Sequence, residues 1–244
     1  MDVHHHPNLP HGKSKHLKEY FLEFLMIFLA VTMGFIAENI REHVSDNSKE
    51  KEYIAGMIKN LEVDTAELKF TIGRTESQYK GIDTLRSISK DKLADLKVQD
   101  SLFLYTSNYL LSLNPFKNDD VTLIQLRNAG GYRFLRKQGV LDSIAIYESK
   151  INFLNIQLDY YSESMKKSIE TVKFIFDLNA NARFRKNHFS TPILITTDKD
   201  KINNFYNQCW MMSIVVRNYT ALLKDQLKFS TRLIAYLKNT YHVD

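Results

Sequence analysis

Residues Tyr20–Ile40 read YFLEFLMIFLAVTMGFIAENI. At about 1.5 Å of rise per helical residue the stretch is about 31 Å long, close to the roughly 30 Å hydrocarbon layer of a bilayer. Charge is confined to Glu23 and Glu38, each within a turn of an end, and Phe24 to Ala37 carries none. Phe21, Leu22, Phe24, Leu25, Ile27, Phe28, Leu29, Val31, Phe35 and Ile36 each favour insertion by about 0.3–0.6 kcal/mol, together about 3–6 kcal/mol. That sum outweighs two off-centre carboxylates. No polar face balances the apolar one, as an interfacial helix or the surface helix of a globular protein requires. Phe35-Ile36-Ala37 is a poor match to the small-residue site at which a signal peptide is cleaved. The stretch is therefore read as an uncleaved membrane-spanning helix, residues 20–40.

Outward from this helix the charges nearly balance. Lys13, Lys15 and Lys18 lie on the amino-terminal side, and Arg41, Lys49, Lys51 and Lys59 follow on the other. Counting Lys and Arg gives almost a tie under the positive-inside rule. Glu42, Asp46, Glu50 and Glu52 dilute the second group. The expected topology is a single pass through the inner (cytoplasmic) membrane, with the amino terminus cytoplasmic and the following domain extracytoplasmic.

Of the 244 residues, 44% are hydrophobic and 12% aromatic, enough to bury a core, so disorder of the main body is not expected. The net charge of +5 and pI near 9.0 are explained by a Lys-rich solvated helical surface, and no nucleic-acid partner is expected. Cys209 is the sole cysteine, which excludes an intramolecular disulfide and a cysteine zinc site. Its neighbours are apolar, which makes it a core residue. Residues 1–19 form a polar tail rich in His and Lys. His4, His5, His6, His11 and His16 could hold a metal only without fixed geometry, so no cofactor or metal is expected.

Pro7, Pro10, Pro115 and Pro192 are the only prolines, and the long gaps between them permit long helices. Ile54, Ile58, Leu61, Thr65, Leu68, Ile72, Thr75, Tyr79 and Ile82 alternate steps of four and three, a heptad seam interrupted by two threonines. Residues 41–90 are accordingly read as a helical stalk, weakened locally by Gly73 and Gly81, and residues 91–244 as a helical bundle domain. Within the bundle a helix is predicted over Asp91–Leu113, ending before Pro115. A short helix over Val121–Asn128 is predicted behind the Asp119-Asp120 signal and stops at Gly130-Gly131. A second seam runs from Leu141 to Phe176. Ile193–Thr196 has strand character but is too short for a sheet, and a last helix begins near Asp198 or Asp200. The expected fold is all-α: a transmembrane helix continuing into a stalk and a bundle of long antiparallel helices.

No metal-ligand motif, phosphate-cradling glycine loop or nucleophile elbow is present, and no catalytic residue is assigned. Arg127, Arg133 and Arg136 flank the glycine doublet and form a candidate anion patch, with Arg183, Arg185 and Lys186 as further contributors; capping of helix ends is the competing explanation. In the apolar helix, Ile27, Ala30, Gly34, Ala37, Glu38 and Arg41 fall on one stripe by three- and four-residue steps (Gly34 reaching both Ala37 and Glu38), with Glu23 on the same side. Small residues there permit close approach of another helix, and intramembrane carboxylates favour a protein partner over lipid. Glu23 and Glu38 reaching to the two interfaces is the alternative.

Glu23-Phe24, Phe28 to Val31, Gly34-Phe35, Ala37 to Asn39, Arg41-Glu42 and Lys51 to Tyr53 together resemble an uncharacterised family of bacterial single-pass membrane proteins. Thr122, Gln125 to Asn128, Gly130, Arg133, Leu135 and Asp142 to Ile144 are similar to a second recurring stretch of that family. The resemblance stops near residue 180. It implies the single-pass topology and carries no activity with it.

The leading expectation is a membrane-anchored, non-enzymatic scaffold that associates with a second copy or another membrane protein. Two alternatives stand beside it: an extracytoplasmic helical sensor of a small ligand signalling through a partner, and an ion-pathway subunit that uses Glu23.

Overall fold

The computed structural model describes residues 13–128, 130–180 and 193–243. The polyhistidine tail residues up to His11, and Arg183, Arg185 and Lys186, lie outside the described residues. The fold is all-α. Among the described residues the helices are α1 (Lys13–Ser87), α2 (Leu96–Tyr105), α3 (Val121–Asn128), α4 (Gln138–Val172) and α5 (Lys199–Tyr241). The chain divides into two compact units at Glu52/Tyr53. Residues 53–87, part of the segment read as a stalk, therefore belong to the larger unit.

In that unit α4 and α5 run antiparallel, cross-linked by Lys150–Asp225 at 2.5 Å and by Gln208 Nε2 donating to the Ser164 carbonyl at 3.0 Å. The α1 stretch is antiparallel to α5. Glu62 meets Lys238 at 3.1 Å and Glu76 meets Lys224 at 2.6 Å, two heptads apart on both helices. Against α4 it is parallel, because the Tyr147 hydroxyl bonds Asp64 and the Tyr161 hydroxyl bonds Gln78 in constant register. Two parallel helices need a return connection, and residues 88–137 supply it.

The seam is buried as its spacing predicts. Ile54, Leu61, Leu68, Thr75 and Ile82 are inaccessible to solvent. Ile54, Leu61, Leu68 and Ile82 share one core with Leu154, Tyr161, Val216, Tyr219 and Leu223. Burying a Leu or Ile side chain contributes about 1.5–3 kcal/mol, so this stripe, rather than helix propensity, holds α1 in place.

The ends follow local chemistry. The Asp198 carboxylate accepts from the Asp200 and Lys201 amides and opens α5, and His242 in the left-handed region closes it. The Asp119 carboxylate accepts weakly, at 3.4 Å, from the Val121 amide that begins α3. Gly130, at φ +62, ends that helix in a conformation open to glycine at little cost. The helix predicted over Asp91–Leu113 is broken into a 3₁₀ turn, α2 and a π turn at Thr106–Leu110. Ile193–Thr196 makes a single bridge, Leu194 to Phe176.

Candidate functional site

Two regions of α1 carry what is unusual in this chain, and each is described within its own unit. In the first, thirteen large apolar side chains between Tyr20 and Ile40 are exposed. Phe21, Phe28 and Phe35 lie along one line of the helix, Phe24 and Val31 along a second and Met26 and Met33 along a third; each is more than half accessible. An 18-residue window reaches a mean hydropathy of 2.1 with none of it buried, so the helix is long and apolar enough to cross a membrane. A monomeric soluble protein rarely leaves more than a few hundred Å² of contiguous apolar surface bare.

The predicted packing face falls on this segment. Glu23, Ala30, Gly34, Ala37 and Glu38 are all exposed, and a Cβ added at Gly34 would meet nothing within 4 Å. Glu38 is bound by Arg41, whose Nε donates to its Oε2 at 2.9 Å. The Thr32 hydroxyl returns to the Phe28 carbonyl at 2.7 Å, which satisfies a polar group without a partner helix.

The second region is a buried polar line beside the seam, which the seam spacing does not include. Met57, Asp64, Thr71, Gln78 and Leu85 repeat every seven residues beside the seam, and each is at most 2% exposed. Two of the polar members, Asp64 and Gln78, hold the return connection, while the Thr71 hydroxyl donates within α1 to Glu67 at 3.3 Å. Gln78 Nε2 donates to the carbonyls of Tyr109 (2.9 Å) and Ser112 (2.7 Å). Its Oε1 accepts from Asn114 (2.8 Å) and Tyr161. All four hydrogen-bonding sites of that amide are thereby used. Asp64 Oδ1 accepts from the Asp119 amide at 2.7 Å and Oδ2 from the Tyr147 hydroxyl. One turn earlier, Asn60 Oδ1 accepts from the Thr122 amide at 3.1 Å. Gly81 fits the same logic: a Cβ there would lie 2.1 Å from the Tyr109 ring, so only glycine lets the connection lie on α1.

Asp64 is bonded by the Tyr147 hydroxyl and the Asp119 amide, and the charges nearest it are those of Asp119 and Asp120. Burial pushes its carboxyl up to about 6, against the lowering effect of the bonds from Tyr147 and Asp119, while the Asp119 and Asp120 charges add to the rise. The Tyr147 hydroxyl is raised by its own burial and by Asp64. Tyr161 is pushed up to about 12 by burial, and so is Cys209, which is fully buried. That environment makes Cys209 a packing residue and a poor nucleophile. No group of three His, Cys, Asp or Glu able to hold a metal occurs among the described residues.

The arginines of the candidate anion patch have separate engagements. Arg127 Nη2 donates to Glu148 at 2.8 Å, and Arg133 covers the Phe134 ring at 4.7 Å. Arg136 is exposed and has an electrostatic or hydrogen-bonding contact of its own.

Comparisons with protein-family models, with curated proteins and with solved structures return no match.

Proposed function

We propose that residues 20–40 cross a lipid bilayer once and tether a non-enzymatic helical unit, which serves as a scaffold for a second copy or another membrane protein. One observation carries the reading: apolar side chains cover every face of that segment and none of the window is buried. In water such a surface costs about 25 cal/mol per Å², and the hydrocarbon of a bilayer removes that cost. The segment sits in the inner (cytoplasmic) membrane, with the amino terminus in the cytoplasm and the larger unit outside. The same reading takes the chain as a member of the bacterial single-pass family that it resembles.

The larger unit supports a scaffold role through its braced interior. Gln78, Asp64 and Asn60 tie an irregular connection to α1 through hydrogen bonds that a loosely packed unit would not sustain. Association is assigned to the face of Ala30, Gly34 and Ala37, where another helix can approach closely.

The test is extraction of native membranes. The full chain is expected to stay in the pellet after alkaline carbonate and to enter solution only with detergent. Release by carbonate alone would rule out the span.

A further inference from the structure

The larger unit contains a cavity of about 690 Å³ at the end where α1 finishes, within the range typical of small-molecule sites. Its walls are the turn after α1, the stretch before α5 and the first turns of α5. One buried side chain braces two of these walls. Gln99 Nε2 donates to the Leu93 carbonyl at 2.8 Å, and its Oε1 accepts from the Ile193 and Leu194 amides at 3.0 and 3.2 Å. The site is therefore preformed, and a ligand would not have to organise it.

Three of the lining side chains away from full exposure are aliphatic: Leu93 is buried, and Leu194 and Ile202 are half-buried. Charge sits at the rim: Lys90 and Lys199 against the single carboxylate of Asp91. Lys90 is held in place, because its Nζ donates to Asn203 Oδ1 at 2.6 Å and lies 4.9 Å from the Tyr206 ring centroid. Tyr206 is itself fixed by donating to the Ile88 carbonyl at 2.8 Å. An ammonium has three donors, and the Asn203 bond takes one. The α5 amides of Asp200 and Lys201 are already capped by Asp198, so the lysines are the groups left to meet an anion.

We propose that this cavity binds a small carboxylate carrying an aliphatic chain, with Lys90 and Lys199 pairing the carboxylate and Leu93, Leu194 and Ile202 receiving the chain. The site belongs to the larger unit alone, so it does not depend on the proposed membrane span. Lys90 follows the last residue of α1 by three positions, which puts the bound anion next to the end of the helix that also carries the apolar segment.

The test uses the full chain in nanodiscs of zwitterionic lipid. An environment-sensitive fluorophore is attached at Ala94→Cys, which lines the cavity; Cys209 is fully buried and escapes labelling. A second preparation is labelled at Glu163→Cys, an exposed position on α4. Titration with decanoate is expected to give a saturable change at position 94 and none at 163. Combining Lys90→Gln with Lys199→Gln should weaken the response at least about tenfold, a loss of the order of one good ionic contact. Ile202→Trp should abolish it while circular dichroism shows helicity retained. Lys199→Gln alone, at an exposed position, should weaken it by a smaller factor. Equal responses at both labels, no effect of the lysine changes, or equal binding of decyltrimethylammonium would each overturn the assignment.

Discussion

The two parts of α1 form a controlled comparison within one helix. Residues 20–40 are apolar on all sides and exposed on all sides, whereas residues 53–87 are apolar on one stripe and buried on that stripe. Backbone geometry is the same in both. What differs is the angular distribution of side chains, and so the medium each part is suited to contact: hydrocarbon all round in one case, a protein core and water in the other. One helix thus carries two different side-chain patterns along its length without changing conformation.

The largest effect that sharpens this contrast comes from matched truncations. Leu61→Ala, at a site with no exposure, should destabilise the larger unit by about 2–5 kcal/mol. Leu29→Ala, at a site half exposed, should leave unfolding of that unit unchanged. Denaturant titrations of the two variants in the same detergent measure the difference; equal losses would erase the distinction.

A smaller effect concerns Asp64. Its folded carboxyl titrates near 6, above its ordinary value of 3.8, so the folded state holds the proton more tightly. The associated stability is fully present below about pH 4 and is lost as pH rises through 6, a swing of about 3 kcal/mol. Asp64→Asn keeps an oxygen for the Asp119 amide and offers an N–H to Tyr147. It should flatten stability between pH 4 and pH 7, and thermal melts across that range decide the point. A profile as steep as that of the unaltered chain would place the titrating group elsewhere.

The smallest effect is expected in the apolar segment. Gly34→Leu has open space around it and should leave the helix intact. By blocking close approach, the change should reduce cross-linking between copies in membranes by several-fold, since contacts of this kind contribute about 1 kcal/mol. Unchanged cross-linking would move association away from this face.

Much of this division is legible in the sequence, because periodicity reports directly on burial. The seam from Ile54 to Ile82, the helix Val121–Asn128 and the Asp198 cap all follow from spacing and end chemistry. The line through Asp64, Thr71 and Gln78 is hidden, since a polar residue on a helix defaults to water unless its partner is known. The partners of Asp64 and Gln78 lie 31 to 83 residues away. One signal was available: Met57 and Leu85 continue the same seven-residue step at both ends, so the polar members sit inside an apolar line. The break in the predicted Asp91–Leu113 helix was less accessible. It reflects the demand that the Tyr109 and Ser112 carbonyls reach Gln78, which is a tertiary requirement rather than a local preference.

The parallel arrangement of α1 and α4 has a consequence for biosynthesis. At about 5–20 residues per second, the ribosome needs of the order of ten seconds or more to pass from the end of α1 to the end of α5. During that interval the seam of α1 lacks the helix that completes its cover, whereas α4 and α5 close locally as soon as both have emerged. Translation therefore exposes the apolar segment before the bundle behind it is complete, an order that leaves that segment free to meet a lipid surface before the fold is sealed.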